Sequence, residues 1–336
     1  MKISFLVTYY NQEQYVYDSL KSIADLNMTV DYEVLVGDDG SSDKTVLEIE
    51  KWNAVFKNRL TILHGNRNDG VSDHVVRASN MRKRLLRESN GDFFCILDGD
   101  DYYCDKDFVN KAIDFFASNT ELSVVMFNYR YMFSDRIEER KSGMKEGIVQ
   151  TADYLRYYYT HSGACVYKRI TDDEYVIRLN KSIYFDDNDI VIYQLLFGKP
   201  QYVNIPILNY RQHNDSIWHS INRAQQGLLN VMGADNEVLL APEFQDSIYY
   251  RYRKDILYTF FRSDYLKNLV GEEYISKCNK IMDRRGLLCG VLLNPLTEDE
   301  ENIKAVYNII EKIRAWDPEE CDRILINCEK ERPING

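Results

Sequence analysis

Residues 93–105 read FFCILDGDDYYCD. Residues 93–97 are apolar without a break, which marks a strand covered on both faces, and the run stops in Asp98, Asp100 and Asp101. Carboxylates crowded at the end of a buried strand repel one another and are costly to desolvate. A positive partner is therefore expected beside them.

Three further runs have the same character: ISFLV at 3–7, EVLVG at 33–37 and LTIL at 60–63. Between them apolar residues return at helical spacing: Val16, Leu20 and Ile23; then Val46, Ile49 and Phe56 within 44–57; then Phe108, Val109, Ala112, Ile113 and Phe116 behind the acidic cluster. Strand alternating with helix predicts a doubly wound, Rossmann-like α/β fold whose mostly parallel sheet is flanked by helices. In the second half, 122–133, 162–168 and 206–213 read as strands and 151–159 and 189–197 as helices. From 221 onward the pattern is helical, with a break at Pro295 and a helix cap at Thr297 ahead of acidic residues. A chain of 336 residues ordinarily forms about two domains. The expected division is 1–220 for an α/β domain and 221–336 for a helical C-terminal extension.

The net charge of -11 argues against nucleic acid as a partner, because neutralising phosphates needs a basic face. No 18 apolar residues run together, so no transmembrane helix is expected, and the apolar run that ends at Thr8 is too short for a signal peptide. The seven cysteines are scattered, odd in number and lack a CxxC pair, which fits reduced thiols. The expectation is a cytoplasmic protein.

Three strands end in polar clusters: TYYN at 8–11, DDGSSDKT at 38–45 and DGDD at 98–101. Ligands of open α/β sheets bind beyond the carboxyl ends of the strands. One such cluster is equally well a loop with a helix cap, for which Ser42 or Asp43 would serve; three at one sheet edge describe a ligand site. Asp98, Asp100 and Asp101 offer hard oxygen ligands to Mg²⁺ or Mn²⁺, which keep several waters and bridge substrate phosphates. A calcium EF-hand is excluded, since Tyr102 and Val109 stand where ligands are needed. An aspartate-nucleophile phosphatase is excluded because the first strand ends in Thr8, and no phosphate-binding P-loop is present.

Six motifs, VTYYNQEQY, DDGSSDKT, NRNDGVS (66–72), LDGDD, YFDDNDIVIYQLLFGK (184–199) and YRQHNDSIW (210–218), occur in the order and at about the spacing of the inverting, nucleotide-sugar-dependent glycosyltransferases of family two. Over residues 1–220 the chain resembles that family, which has the GT-A fold. The resemblance implies that Thr8, Tyr10 and Asp39 line the nucleobase and ribose pocket, with Asp39 accepting a hydrogen bond from the base. It also implies that Asp98 lies near the ribose, that Asp100 is a metal ligand for Mn²⁺ or Mg²⁺, and that Asn66 and Asp69 sit on a loop closing over the nucleotide.

The family places its catalytic carboxylate at the start of a helix that ends in Gly-Lys. Gly198 and Lys199 set that register here, and Asp187 is the match, with Asp186 and Asp189 as competitors. From the residues alone, acids ahead of IVIYQLLF also suit a helix cap. Strand alternation in NYRQHND puts Asn209, Arg211 and His213 on one face. The resemblance implies that Arg211 pairs with a diphosphate oxygen, that His213 completes the metal shell and that His161 faces the acceptor; Trp218 packs either against the donor or only against the core.

The segment 249–267 interleaves aromatics with Arg251, Arg253, Lys254 and Arg262. It reads as a helix with an aromatic core stripe, or as a peripheral docking face for an anionic membrane bearing a lipid-linked acceptor. The whole describes a metal-dependent transferase that moves one sugar, with inversion, from a nucleoside diphosphate, UDP favoured, to a hydroxyl of a glycan or lipid-linked glycan. Family context suggests bacterial surface polysaccharide or glycoconjugate assembly. A sugar-phosphate nucleotidyltransferase would need a glycine-rich basic first loop, which TYYNQEQY lacks. A catalytically silent sugar-nucleotide or glycan-binding module would bind the nucleotide without turnover.

Overall fold

The computed structural model describes residues 1–71, 73–182, 184–213, 221–262, 268, 270–276, 286–293 and 299–330. The first stretch alternates strand and helix: β1 (Lys2–Tyr9), α1 (Val16–Ala24), β2 (Asp31–Asp38), α2 (Thr45–Glu50), α3 (Asn53–Phe56), β3 (Leu60–His64), α4 (His74–Glu88) and β4 (Phe93–Asp98). Then come β5 (Tyr102–Tyr103), α5 (Phe108–Ser118), β6 (Leu122–Met132), β7 (Ile137–Glu139), β8 (Gly147–Ile148), α6 (Thr151–Tyr157), β9 (Cys165–Lys168), α7 (Asp173–Lys181), α8 (Asp187–Leu195) and β10 (Lys199–Arg211). The strands form one sheet in the order β3-β2-β1-β4-β9-β6-β10-β5, with β7 on β6 and β8 on β10.

The long ladders, β2 with β3, β1 with β2, β1 with β4 and β6 with β10, are parallel; the antiparallel pairings are each two or three residues long. This is the expected α/β architecture. Phe5, Val7, Val34, Val36, Cys95 and Leu97 pack with Val16, Leu20 and Ile23 of α1 and Phe108, Val109 and Ala112 of α5. Leu6, Leu35 and Ile96 on the opposite face are buried as well, which is why these runs show no polar alternation. Full burial of each such side chain stabilises by about 1.5–3 kcal/mol.

Several local expectations are corrected. Residues 44–57 form two short helices, not one, and Lys57 ends them at φ 56°. Helix α8 begins two residues earlier than expected, at Asp187, and β10 begins at Lys199 instead of 206. Prolines disfavour strand interiors, yet Pro200 and Pro206 are accommodated where the β6–β10 register shifts. Only 165–168 of the expected 162–168 strand is extended, behind a 3₁₀ turn at Ser162–Ala164. Helix α4 was not foreseen.

The chain divides into two compact units, 1–154 with 158–214, and 155–157 with 215–336. In the second, the helices are α9 (Arg223–Leu240), α10 (Gln245–Arg251), α11 (Arg253–Phe261), α12 (Leu287–Leu293), α13 (Glu300–Trp316) and α14 (Pro318–Lys330). Asn222 and Gln225 form a reciprocal capping box at α9. Helix α13 is capped by Asp299, whose side chain accepts from Asn302 N; Thr297, the expected cap, lies outside the described residues. The basic residues of this segment pair within their unit: Arg251 lies 3.6 Å from Glu237, Arg253 2.7 Å from Asp317 and exposed Lys254 3.3 Å from Glu320, while buried Arg262 donates to Tyr258 Oη. Among the described residues no helix is long and apolar enough to cross a membrane, and Cys95, Cys104, Cys165, Cys289, Cys321 and Cys328 are free thiols.

Candidate active site

The parallel register sets Thr8 opposite Gly37 of β2 on one side and Asp98 of β4 on the other. The carboxyl ends of β2, β1 and β4, and their polar clusters, are therefore neighbours. The first two clusters are laced together. Ser41 Oγ accepts from Asn11 N, Asn11 Oδ1 from Ser42 N and Thr45 Oγ1 from Gln12 N, each at 2.8 Å. Buried Asp38 accepts from Gly40 N and Ser41 N, closing a turn that needs Gly40 at φ 76°. Of the two expected helix caps, Ser42 takes part through its N–H, and Asp43 accepts both from Glu13 N at 3.1 Å and from Thr45 N, the first residue of α2, at 2.9 Å; the cap position of α2 is Lys44, which makes no side-chain cap bond.

Asp39, the expected base-recognising carboxylate, meets two guanidinium groups. Arg77 Nε and Nη2 donate to its two oxygens at 2.8 Å each, and Arg67 Nη2 reaches Oδ2 at 2.8 Å. Arg67 also lies over the ring of Tyr10, 3.4 Å from its centroid. Arg77 Nη1 continues to Asp69 Oδ1 at 2.7 Å, and its Nη2 donates to the carbonyl of Asn66 at 3.2 Å. The backbone N–H of Val71 and the charge of Arg77 hold the Asp69 carboxyl below the usual carboxylate range. Asn66 and Asp69 are thus fastened to Asp39 through Arg77.

The charges of the DGDD cluster are met one by one. Arg82 Nη2 donates to Asp98 Oδ1 at 2.7 Å, and Thr8 Oγ1 donates to the same oxygen at 3.3 Å. His213 Nε2 lies 2.8 Å from Asp100 Oδ2. Asp101, fully buried, accepts the backbone N–H of Arg211 at 2.8 Å. The positive partner expected beside the cluster is thus supplied by the protein at Asp98, and repulsion alone does not call for a metal. Arg211 Nε donates to the carbonyl of Asp100 at 2.7 Å and its Nη2 to Asp18 Oδ2 at 3.0 Å, with the guanidinium over the ring of Tyr15. Strand β10 ends at Arg211, so His213 reaches Asp100 from beyond the strand. Trp218 lies outside the described residues.

Two groupings could hold a cation. Asp98, Asp101 and His161 have ligand atoms within 4.8 Å of one another. His161 Nδ1 accepts from Gly163 N at 3.1 Å, so the neutral ring carries its proton on Nε2, which faces Asp101 Oδ2 at 3.7 Å. A ring in that tautomer donates and does not ligate. Asp100 and His213 are joined by a hydrogen bond, Nε2 donating to Oδ2 at 2.8 Å, so a cation there would take the place of that proton; a carboxylate oxygen and an imidazole nitrogen, both partly exposed, would suit Mn²⁺ better than a cation that demands oxygen alone. His161 is buried against Tyr210 and Tyr129.

Asp187 is the first residue of α8, and Asp186 holds the cap position before it. The Asp186 side chain makes no cap hydrogen bond; its Oδ1 accepts from Arg82 Nη1 at 3.0 Å. Asp189, the third residue of the helix, is buried. Gly198 after the helix is required by packing, since a Cβ there would lie 2.6 Å from Ser123 Cβ.

Helix α4 supplies the residues that sequence reading missed, Arg77, Arg82 and Lys83, all buried. A usable signal existed: Arg77 shares the i, i+4, i+8 face of Met81 and Leu85, and Arg82 lies four residues before Leu86. Cations in phase with an apolar stripe need buried anions. Burial, with Arg87 nearby, lowers the Lys83 ammonium to about 8.

A model of the family described as glycosyl transferase family 2 matches residues 4–179. The chain is 27% identical over 150 residues to the uncharacterized glycosyltransferase YfnE of Bacillus subtilis, an alignment covering 45% of this chain and 36% of that one. It is 30% identical over 103 residues, 30% of this chain and 17% of the relative, to the poly(ribitol-phosphate) beta-N-acetylglucosaminyltransferase TarS of Staphylococcus aureus. The chain thus spans about a third or less of the length of these curated relatives. In three dimensions it resembles the crystal structure of S. aureus TarS 1–349 in complex with UDP-GlcNAc, with a TM-score of 0.62 at 19% identity over 98% of this chain and 92% of that one. This likeness is one of fold.

Proposed function

The chain belongs to glycosyl transferase family 2, with the GT-A fold, and from that premise we propose that it transfers a sugar from a nucleoside diphosphate sugar to a hydroxyl of a glycan or lipid-linked glycan, with inversion, in the cytoplasm. In this reading 1–220 is the catalytic domain and 221–336 a helical region without catalytic groups. The observation that carries it is the meeting of Thr8, Asp39, Asp98 and Asp100 at one sheet edge, with Arg211 at the end of β10 and His213 just beyond it set against Asp100. UDP is the favoured nucleotide, a choice supported by the UDP-GlcNAc complex of the TarS relative.

Thr8, Tyr10 and Asp39 form the base and ribose side, bounded by Arg67 and by the Asn66–Asp69 loop. Asp100 and His213 would hold a divalent cation, Mn²⁺ or Mg²⁺, which when bound offsets the charge of the leaving diphosphate. Arg211 adds a fixed positive charge there. Asp187 takes the proton of the acceptor hydroxyl, and His161 lines the acceptor side. The cations of 251–262 face carboxylates or a tyrosine of their own unit, so that segment is read as helical core, and membrane docking is not part of the proposal.

Replacing Asp187 tests the reading. A positioned base contributes on the order of 10²–10⁴ in rate, so Asp187→Asn should cut turnover by about that factor, remove the acidic limb of the pH–rate profile and leave UDP binding intact. Asp189→Asn should keep the limb. Unchanged turnover in Asp187→Asn sinks the assignment, retention of the donor's anomeric configuration in the product sinks inversion, and UDP binding without any UDP release from UDP-sugars identifies a silent binding module.

A further inference from the structure

The segment leading into α8 is held by one helix at three points. Arg87 Nη2 donates to Asn180 Oδ1 at 2.5 Å, Lys83 Nζ donates to the carbonyl of Ser182, and Arg82 Nη1 donates to Asp186 Oδ1 at 3.0 Å. All three cations come from α4. Arg82 also reaches the other way, with Nη2 on Asp98 Oδ1 at 2.7 Å. One buried guanidinium therefore joins the end of β4 to the residue immediately before Asp187.

We propose that Arg82 is a positioning residue for transfer, fixing the start of α8 against the donor-side carboxylate Asp98 through Asp186. The inference rests on the roles given above to Asp98 and Asp187. A carboxylate at a helix cap position ordinarily accepts from the first-turn N–H groups. Asp186 makes no such bond and is turned to Arg82, so its contribution is to the placement of the helix start. The planar fork of arginine can serve two carboxylates in fixed directions, whereas a lysine ammonium acts as a point charge on a flexible stem. The spacing matters because a misplacement of about 1 Å at the reacting groups costs on the order of 10²-fold in rate.

Three measurements on the full chain test this with Asp186→Asn, Arg82→Lys, Arg82→Gln and the double variant Arg82→Gln/Asp186→Asn: UDP affinity by calorimetry, turnover of a UDP-sugar, and hydrogen exchange of residues 187–190. Asp186→Asn should keep UDP affinity, speed exchange in that first turn and lower kcat by up to about 10²-fold, while retaining the acidic limb of the pH profile. Arg82→Gln should add a loss of UDP affinity through Asp98. Arg82→Lys should recover UDP affinity but not kcat. The double variant should be no slower than Arg82→Gln alone, because both changes cut one link. Independent, multiplying losses in kcat, or unchanged exchange at 187–190 in Asp186→Asn, overturn the proposal. If Arg82→Gln does not fold, Asp186→Asn, altered at a half-exposed carboxylate, still decides it. Exchange needs no turnover, so an unmodified protein that transfers no sugar refutes the functional reading without touching this result.

Discussion

Arg77 clasps both carboxylate oxygens of Asp39, Nε on Oδ2 and Nη2 on Oδ1, at 2.8 Å each. The two residues are 38 positions apart, and the arginine is buried while Asp39 stays partly exposed. The clasp holds the candidate base-recognising carboxylate in one orientation.

Arg77→Gln should therefore both destabilise and weaken nucleotide binding. Removing one partner of a buried pair costs about 3–5 kcal/mol; Arg67 still pairs with Asp39, so about 3 kcal/mol is expected, read from urea unfolding. A loss below about 1 kcal/mol, the worth of an exposed pair, would contradict the buried geometry.

Metal removal is expected to abolish most UDP affinity, because Asp100 and His213 are then left without the charge that draws in a diphosphate. Calorimetric titration of UDP with Mn²⁺, with EDTA, and with Asp100→Ala plus Mn²⁺ gives the answer. Equal affinity in all three rejects the metal role.

Gly99, between Asp98 and Asp100, is dictated by packing. A Cβ there would lie 2.1 Å from Cδ1 of Tyr9, which is buried with its hydroxyl 2.5 Å from Ser19 Oγ. Gly99→Ala should cost about 1–3 kcal/mol through forced displacement of a packed ring, visible as a lowered Tm with or without nucleotide. An unchanged Tm would show that Tyr9 yields freely.

Stability of the helical unit should depend on Asp235. Burial raises its carboxyl from 3.8 to about 7, although it accepts the backbone N–H groups of Leu288 and Cys289. Its folded form thus binds a proton that its unfolded form has released between these values, and the stabilisation, complete below about pH 4, is lost as pH rises towards 7. The stability of the unmodified protein minus that of Asp235→Asn should fall over this interval and level off above it. A difference independent of pH would show that the carboxyl titrates normally.

Lys83 should give a dependence at higher pH. Its ammonium is lowered from 10.5 to about 8 in the folded protein, so between those values the unfolded chain holds the extra proton and stability rises with pH. The stability of the unmodified protein minus that of Lys83→Met should grow from pH 8 to pH 10 and stay flat below pH 8. A flat difference across the whole range would place Lys83 in water.

Strand β4 and its acidic end were legible because both are local: consecutive apolar residues report burial on two faces, and the charges follow immediately. Helix α8 was legible to within two residues, although Asp186 proved to serve Arg82 and not the helix end. Helix α4 was only faintly legible, through the phase of Arg77 with Met81 and Leu85, since its buried face carries Arg77, Arg82 and Lys83 where periodicity expects apolar residues. Strand β10 was only half legible, because Pro200 and Pro206 suit a strand only where its register shifts.

By itself the sequence determined the α/β alternation and the three polar strand ends, since both depend on spacing within about ten residues and on the preference of ligands for strand ends. Only the tertiary structure decided which charge meets which. Arg82 lies 16 residues from Asp98 and 104 from Asp186, and His213 lies 113 from Asp100. Such pairings are set by which helix packs on which strand and by the few ångströms a side chain can span, and no local pattern encodes that distance.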